Sequence, residues 1–196
     1  ARVQRLSGKL SQAAETQTRA RRLLPDEDPS ASAESALLCL DQGDLDGATQ
    51  HIDAASIRGE GAVVSYVRGN IAANQGHLKA AKSYFDEAIE TDPTHVRARL
   101  NRASIHMASG NAQDALDDAN VLLELAPGLA LAKLRRAEAN MMLTNWEAAK
   151  DDLELIIEDA PHHHHALTQL AACYISMDRP EKAEAPLNEA LRLAPD

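Results

Sequence analysis

The four consecutive histidines at 162–165 form the segment of the chain with the most obvious potential for chemistry, because imidazole nitrogens are common zinc ligands. Metal-binding pairs on a helix lie four residues apart, however, and adjacent side chains in a turn point in different directions. His95 and His106 could join them only from distant parts of the chain. The pattern predicts a surface turn with adventitious nickel or zinc affinity, not a metal site, and leaves open a pH-sensitive joint.

Catalytic and nucleic-acid-binding functions find little support in the sequence. There is no glycine-rich phosphate loop, no serine or cysteine nucleophile signature and no HExxH motif. Carboxylates are abundant but fall on helix faces expected to be wet, where paired acid–base groups would be accidental. A net charge of −10 and only 3% aromatic residues disfavour phosphate binding and base stacking. We therefore expect a protein that is not an enzyme and uses no cofactor, small-molecule substrate or nucleic acid.

An internal repeat with a period of about 34 residues organises most of the chain. A proline recurs at this interval, and an alanine precedes each proline by twelve residues. The four pairs are Ala81 and Pro93, Ala115 and Pro127, Ala149 and Pro161, and Ala183 and Pro195. A repeat of this length is typical of a solenoid of stacked helix pairs, in which each unit contacts only its neighbours.

Helices and turns follow the same interval. In segments 78–90 and 147–159 apolar residues recur three and four positions apart, which is one face of a helix. Glycine, asparagine or aspartate interrupts the pattern at 74–76, 109–111 and 144–145, and such residues mark helix ends and starts. Small residues at helix crossings let two backbones approach closely. The sequence thus predicts an all-α chain with ten repeat helices and one more at the amino end.

These features resemble the tetratricopeptide repeat family. Small residues, an aromatic or leucine and a closing proline recur at the family's positions in four frames, which begin at Ala62, Val96, Ala130 and His164. Matching positions include Gly69, Gly76, Phe85 and Ala88; Ala103, Gly110 and Ala119; Ala137, Trp146 and Leu153; Ala171, Tyr174, Leu187 and Ala190. The resemblance implies an α-solenoid, a right-handed superhelix of antiparallel helix pairs whose first helices line a concave groove.

The resemblance covers residues 29–196 and divides them into five repeats. Their approximate bounds are 29–61, 62–95, 96–129, 130–163 and 164–196, the first being a weaker copy that lacks the proline. Residues 1–24 are predicted to be a separate helix and residues 25–28 a hinge. In residues 1–24 a row of positions from Val3 to Leu24 steps by three and four and is apolar except at Gln17. Six basic residues face one acid, a net charge of +5. This pattern favours a cap on the first repeat, with a coiled-coil or membrane-proximal stalk as the main alternative and a disordered segment as the third.

The predicted groove carries the functional expectation. First helices at 96–109 and 130–143 are basic, whereas the second helices are acidic, so a locally basic concave face would attract an acidic partner. The alternative is that these charges pair between neighbouring helices as scaffold. Arginines and glutamates that recur with the period of the repeat favour this alternative. The candidate groove residues are Tyr66, Asn70, Arg97, Asn101, Arg135, Glu138, Met141 and Met142.

A subset of the family, the cochaperones of molecular chaperones, binds chain ends of the EEVD type through a two-carboxylate clamp. Asn70, Asn101 and Arg135 match that clamp, but Tyr66 and Leu131 replace its two lysines. Without those ammonium groups a desolvated carboxylate loses most of its charge pairing. A degenerate clamp is therefore a minor alternative to a groove with adaptable apolar contacts.

The leading functional prediction is a scaffold or adaptor that binds a protein or peptide segment, expected to carry acidic residues, in its groove. The main alternative is an assembly subunit that associates with itself through the amino-terminal heptads or by stacking of repeats end to end. Cys39 and Cys173 are predicted to be buried small hydrophobes without a disulfide. We expect a soluble domain, cytoplasmic or periplasmic, with membrane tethering only through a segment that the sequence lacks.

Overall fold

A computed structural model describes residues 29–56 and 61–193, and every regular element in this part of the chain is an α-helix. The ten helices alternate between first and second members of five pairs. They are α1 Pro29–Asp41, α2 Leu45–Ser56, α3 Ala62–Asn74, α4 Leu78–Thr91, α5 Val96–Ala108, α6 Ala112–Leu125, α7 Ala130–Met142, α8 Trp146–Asp159, α9 His164–Ser176 and α10 Pro180–Leu193. The prediction of an all-α chain with ten repeat helices is confirmed, whereas residues 1–28 lie outside the described residues.

The turn inside each pair has the same backbone geometry. Gly43, Gly76 and Gly110 each have φ of +77°, in the left-handed region that glycine enters without steric cost. Thr144 and Asp178 occupy the corresponding position of the fourth and fifth pairs with φ of 61° and 58°. A β-branched residue is uncommon there. The repeat register therefore fixes the turn even where the favoured residue is absent.

Contacts divide the chain into two compact units, one ending at Ala98 and one beginning at Arg99. In the first unit, α1 packs on α2 and α3 packs on α4, while α1 and α2 both contact α3. The fully buried side chains of α1 and α2 at these contacts are mostly alanine, and small side chains permit a close crossing of helices. The core cluster consists of Ala33, Ala36, Ala48, Ile52, Ala55, Val64, Val67 and Ile71.

In the second unit, each helix from α6 to α10 packs on the next. The core cluster consists of Leu134, Ala137, Ala149, Leu153, Ile156, Ala166, Leu170 and Cys173. Burial raises the pKa of the Cys173 thiol to about 11, so it stays protonated at neutral pH and packs as a small hydrophobe. Cys39 is partly buried against the first core cluster, and both cysteines are free.

Two alanines of the second unit should tolerate no larger side chain. Ala115 and Ala149, predicted to lie at crossings, are both fully buried. Ala149→Leu or Ala115→Leu should overpack the contact and lower the free energy of unfolding by about 1–3 kcal/mol. Thermal unfolding followed by circular dichroism measures the loss. Ala148→Leu is the matched control because Ala148 is exposed on the same helix; equal melting temperatures for Ala148→Leu and Ala149→Leu would contradict the predicted crossing.

Candidate protein-binding surface

The α7 helix of the second unit exposes a stripe opposite its buried face. Leu131, Arg135, Glu138 and Met142 recur at steps of four, three and four, which places them on one side of the helix. Leu131 and Met142 are exposed, and the two charged side chains between them are partly buried. The stripe thus combines accessible apolar side chains with a charged centre, and three of its four residues are predicted groove residues.

Glu138 connects this stripe to the neighbouring first helix. Its Oε2 atom accepts a hydrogen bond of 2.6 Å from Arg135 Nη1, and its Oε1 atom lies 3.0 Å from Nε2 of His165 in α9. Within residues 29–56 and 61–193, Arg135 Nε is buried without a hydrogen-bond partner. The three side chains form a polar cluster across α7 and α9, with one arginine donor unsatisfied.

Three candidate groove residues lie in the first unit. Tyr66 of α3 packs its ring 4.9 Å from the His95 ring and 6.1 Å from that of Phe85, so the side chain is partly buried among aromatic neighbours. Asn70 donates a hydrogen bond of 2.9 Å to the Tyr66 carbonyl. Arg97, in the first turn of α5, is exposed. Of these three residues only Arg97 carries a charge, and its side chain is exposed.

The other two candidates differ in their surroundings. Asn101 of α5 is partly buried. Met141 is partly buried and packs against the core cluster of the second unit, whereas its neighbour Met142 is exposed. Of the methionine pair, therefore, Met142 is available for an apolar contact on the surface, and Met141 serves the core.

Several arginines of the first helices belong to the scaffold. Arg102 in α5 donates two hydrogen bonds to the carboxylate of Asp118 in α6. Arg136 in α7 makes the equivalent bidentate pair with Asp152 in α8. Arg99 Nη1 also donates to Asp118, at 3.2 Å. The hydrogen bond to Asp152 raises the pKa of Arg136 above its usual value. The interpretation that part of the charge alternation is scaffold is supported at these pairs.

Each unit has a surface depression between a first helix and neighbouring second helices, and the sequence analysis did not predict either one. In the second unit a depression of about 390 Å³ has Arg136, Asp152 and the exposed Leu155 in its lining. In the first unit a depression of about 220 Å³ lies at the corresponding position two repeats earlier, where Arg68 and Tyr84 take the places of Arg136 and Asp152. The recurrence shows that the helix packing itself produces these depressions.

The histidine run is divided between a turn and a helix. His162 Nδ1 lies 2.9 Å from Glu189 Oε1, and His163 caps α9 because its Nδ1 accepts a hydrogen bond from the Ala166 amide. Arg192, and to a smaller extent His162, lowers the pKa of Glu189 to about 2 through hydrogen bonds. His165 belongs to the cluster with Glu138. Among residues 29–56 and 61–193 there is no group of three or more His, Cys, Asp or Glu side chains that could hold a metal ion.

Helix pairs that recur along the chain, each with one turn residue at positive φ, are typical of a helical repeat protein. Two family models described as tetratricopeptide repeat match residues 66–130 and 140–196, together more than half of the chain. The chain belongs to the tetratricopeptide repeat family. No curated protein matches it. In the part of the chain that the structure describes, no helix is long and apolar enough to span a membrane.

Solved structures share the fold at low sequence identity. The chain is similar to "MamA 41-end from Desulfovibrio magneticus RS-1", with 17% identity and a TM-score of 0.76, over 86% of this chain and 96% of that one. It is also similar to YrrB, described as a TPR protein with an unusual peptide-binding site, with 20% identity and a TM-score of 0.74, over 92% and 93% of the two chains. A tetratricopeptide repeat protein from Parabacteroides merdae ATCC 43184 gives 20% identity and a TM-score of 0.70, over 95% and 74%.

Proposed function

We propose that this protein is a non-enzymatic interaction scaffold that binds a protein segment on the exposed α7 stripe of its second unit. The observation that carries the proposal is the exposed α7 stripe, in which Leu131 and Met142 flank Arg135 and Glu138. Exposed apolar side chains beside polar groups are typical of protein-binding surfaces. Repeats of this family are generally interaction modules, and the similar protein YrrB has an unusual peptide-binding site.

Each part of the stripe has a separate task in the proposed complex. Leu131 and Met142 would contact apolar side chains of the partner, since both are exposed and methionine adapts to varied shapes. Glu138 holds Arg135 and His165 in place through its two oxygens. The charged centre thus fixes the position of the partner while the apolar ends supply contact area.

Arg135 is the proposed contact for an acidic residue of the partner. Its buried Nε has no hydrogen-bond partner in the part of the chain that the structure describes, and such a group costs about 1–3 kcal/mol. A side-chain shift that pairs Nε and Nη2 with a partner carboxylate would recover part of this cost. Two parallel bonds to one carboxylate are the arrangement that guanidinium favours. The same chemistry explains why a lysine would be a poor substitute here.

In the first unit, the proposed contacts are Arg97 and the α3 side chains Tyr66 and Asn70. Arg97 is exposed and would attract partner carboxylates mainly by raising the association rate, because an exposed charge is screened by solvent. The Tyr66 ring offers an edge that is already positioned by His95 and Phe85. An acidic segment that reaches either unit would meet at least one arginine.

We expect Arg135→Ala combined with Met142→Ala to weaken partner binding at least tenfold and to leave folding intact. The probe is a fluorescent peptide chosen for binding to the wild-type chain from a synthetic array of short acidic and apolar sequences, titrated by fluorescence anisotropy. Loss of a partly desolvated charge contact and an apolar contact costs more than loss of a rim charge. Circular dichroism checks the fold of the variant.

The control variant neutralises two second-helix acids, Asp117→Asn with Asp151→Asn. Both side chains are exposed, and they interact with Gln113 and Lys150 respectively, away from the α7 stripe. We expect binding of the same peptide to change less than twofold. If this control abolishes binding while the Arg135 and Met142 variant binds normally, the partner uses the second-helix face and the proposal is wrong.

A further inference from the structure

The helix pair α9–α10 exposes a row of apolar side chains. Ile175 of α9 is 54% exposed, and Leu187 and Leu191 of α10 are 36% and 61% exposed. Leu187 and Leu191 lie one turn apart on α10, beside its buried residues Ala183 and Ala190. We call these three side chains the terminal face. Isolated exposed leucines are ordinary, but a group of large apolar side chains exposed on one helix pair is not.

The same positions one repeat earlier are covered. Leu153, the counterpart of Leu187, is fully buried in a cluster with Ala166 and Leu170 of α9. Met141 and Ile157, the counterparts of Ile175 and Leu191, are partly buried and pack against that cluster. The first helix of the following pair therefore covers this face in the interior of the array. The terminal face has the shape and chemistry to receive one more helix of that kind.

The chain itself contains a segment with matching properties. In residues 1–24 a row of seven positions from Val3 to Leu24 steps by three and four, and six of the seven are apolar, Gln17 being the exception. This spacing predicts one largely apolar helix face, and the segment carries a net charge of +5. On α10 the exposed acids Glu181 and Glu184 lie on the flank next to Leu187. A basic amphipathic segment and an apolar row with an acidic flank are complementary in both hydrophobicity and charge.

We propose that residues 1–24 of a second copy of this chain dock on the terminal face, so that copies associate head to tail. Four residues, 25–28, connect the segment to α1 and span at most about 14 Å, so the end of the segment stays close to α1 of its own copy. The last helix pair of another copy is free of that restriction. Because donor and acceptor surfaces differ, the interface is heterologous and produces either a ring or an open chain of copies.

The test compares the wild-type chain of residues 1–196 with two double variants by sedimentation velocity over a hundredfold range of concentration. One variant changes the acceptor, Ile175→Glu with Leu191→Glu, at positions exposed enough to accept charge without unfolding. The other changes the donor, Leu6→Glu with Leu10→Glu. We expect the mass of the wild type to rise with concentration beyond that of one copy, and each variant alone to associate at least tenfold more weakly.

Mixing the two variants separates head-to-tail docking from other arrangements. The acceptor variant retains an intact residue 1–24 segment, and the donor variant retains an intact terminal face, so the mixture should form a complex of one copy each and grow no further. Leu125→Glu, at an exposed leucine of α6, is the matched control and should associate as the wild type does. Circular dichroism verifies that all variants remain helical.

Three results would overturn the proposal. The wild type could stay monomeric at every concentration, which would include the case in which the segment docks within its own copy. The acceptor variant could associate normally, in which case the terminal face is not the interface. The mixture could fail to pair while the donor variant alone abolishes association, which would indicate a symmetric coiled coil of the amino-terminal segments.

Discussion

Replacing Asp118 with alanine is expected to lower the free energy of unfolding by about 3–5 kcal/mol. The Asp118 side chain is 4% exposed and accepts hydrogen bonds from Arg102 Nε at 2.9 Å and from Nη1 of Arg99, whose side chain is 10% exposed. Arg102 Nη2 donates to the same carboxylate at 2.5 Å. Removing the carboxylate leaves two largely buried guanidinium groups without the negative charge that both share. Urea unfolding followed by circular dichroism measures the loss.

Two comparisons test that burial of the charges, and not the loss of an aspartate as such, causes the effect. Asp117→Ala removes an exposed neighbour that accepts a hydrogen bond from Gln113, and its effect should stay within about 0.5 kcal/mol. Asp152→Ala should cost less than Asp118→Ala. Among the described residues Asp152 pairs with one arginine, Arg136, whose side chain is 34% exposed, whereas Asp118 pairs with two. Equal losses for Asp117→Ala and Asp118→Ala would contradict this account.

The repeat register made most of the fold predictable. Helix pairs and turns recur with a constant period, so Gly76 and Gly110 mark turns by residue type, and Thr144 and Asp178 can be assigned by position alone. Propensity would have missed Thr144, since a threonine rarely takes a positive φ, whereas aspartate enters this region more readily. What the register could not provide is the division into two compact units after Ala98, because the repeat pattern continues across that boundary.

The sequence predicted those parts of the candidate site that lie within one helix, but not its contacts between helices. Arg135 and Glu138 share one face because residues three apart on a helix are neighbours. His165 was missed, since its contact with Glu138 joins residues 27 apart and depends on how α9 packs beside α7. A local pattern cannot encode that distance. A spacing of 16 residues between Arg102 and Asp118, repeated in Arg136 and Asp152, was a usable signal that these arginines serve the scaffold.

In the pair of α3 and α4, a small residue on the first helix lies opposite a large one on the second helix. Gly69 in α3 faces Phe85 in α4, and a Cβ atom added to Gly69 would lie within 3.0 Å of three atoms of that ring. At the corresponding positions of the other three frames an alanine takes the place of the glycine, and alanine or leucine takes that of the phenylalanine. These pairs are Ala103 and Ala119, Ala137 and Leu153, and Ala171 and Leu187. The only phenylalanine of the chain thus lies opposite a residue without a side chain.

Phe85→Ala is therefore expected to lower the free energy of unfolding by about 3–5 kcal/mol, because the ring is fully buried and its loss opens a cavity. Gly69→Ala should also destabilise the wild type: overpacking against the ring costs about 1–3 kcal/mol, offset in part by about 1 kcal/mol of helix propensity. Both variants are measured by urea unfolding with circular dichroism detection.

The decisive result is the effect of Gly69→Ala in the Phe85→Ala background. With the ring gone, the added methyl group has room and fills part of the cavity, so only the gain in helix propensity remains. Gly69→Ala should then raise the free energy of unfolding, whereas it lowers that free energy in the wild type. Such a reversal of sign shows that residues 69 and 85 are energetically coupled. If Gly69→Ala destabilises both backgrounds equally, its cost does not come from Phe85. The glycine would then serve the α3 backbone and not the contact between α3 and α4.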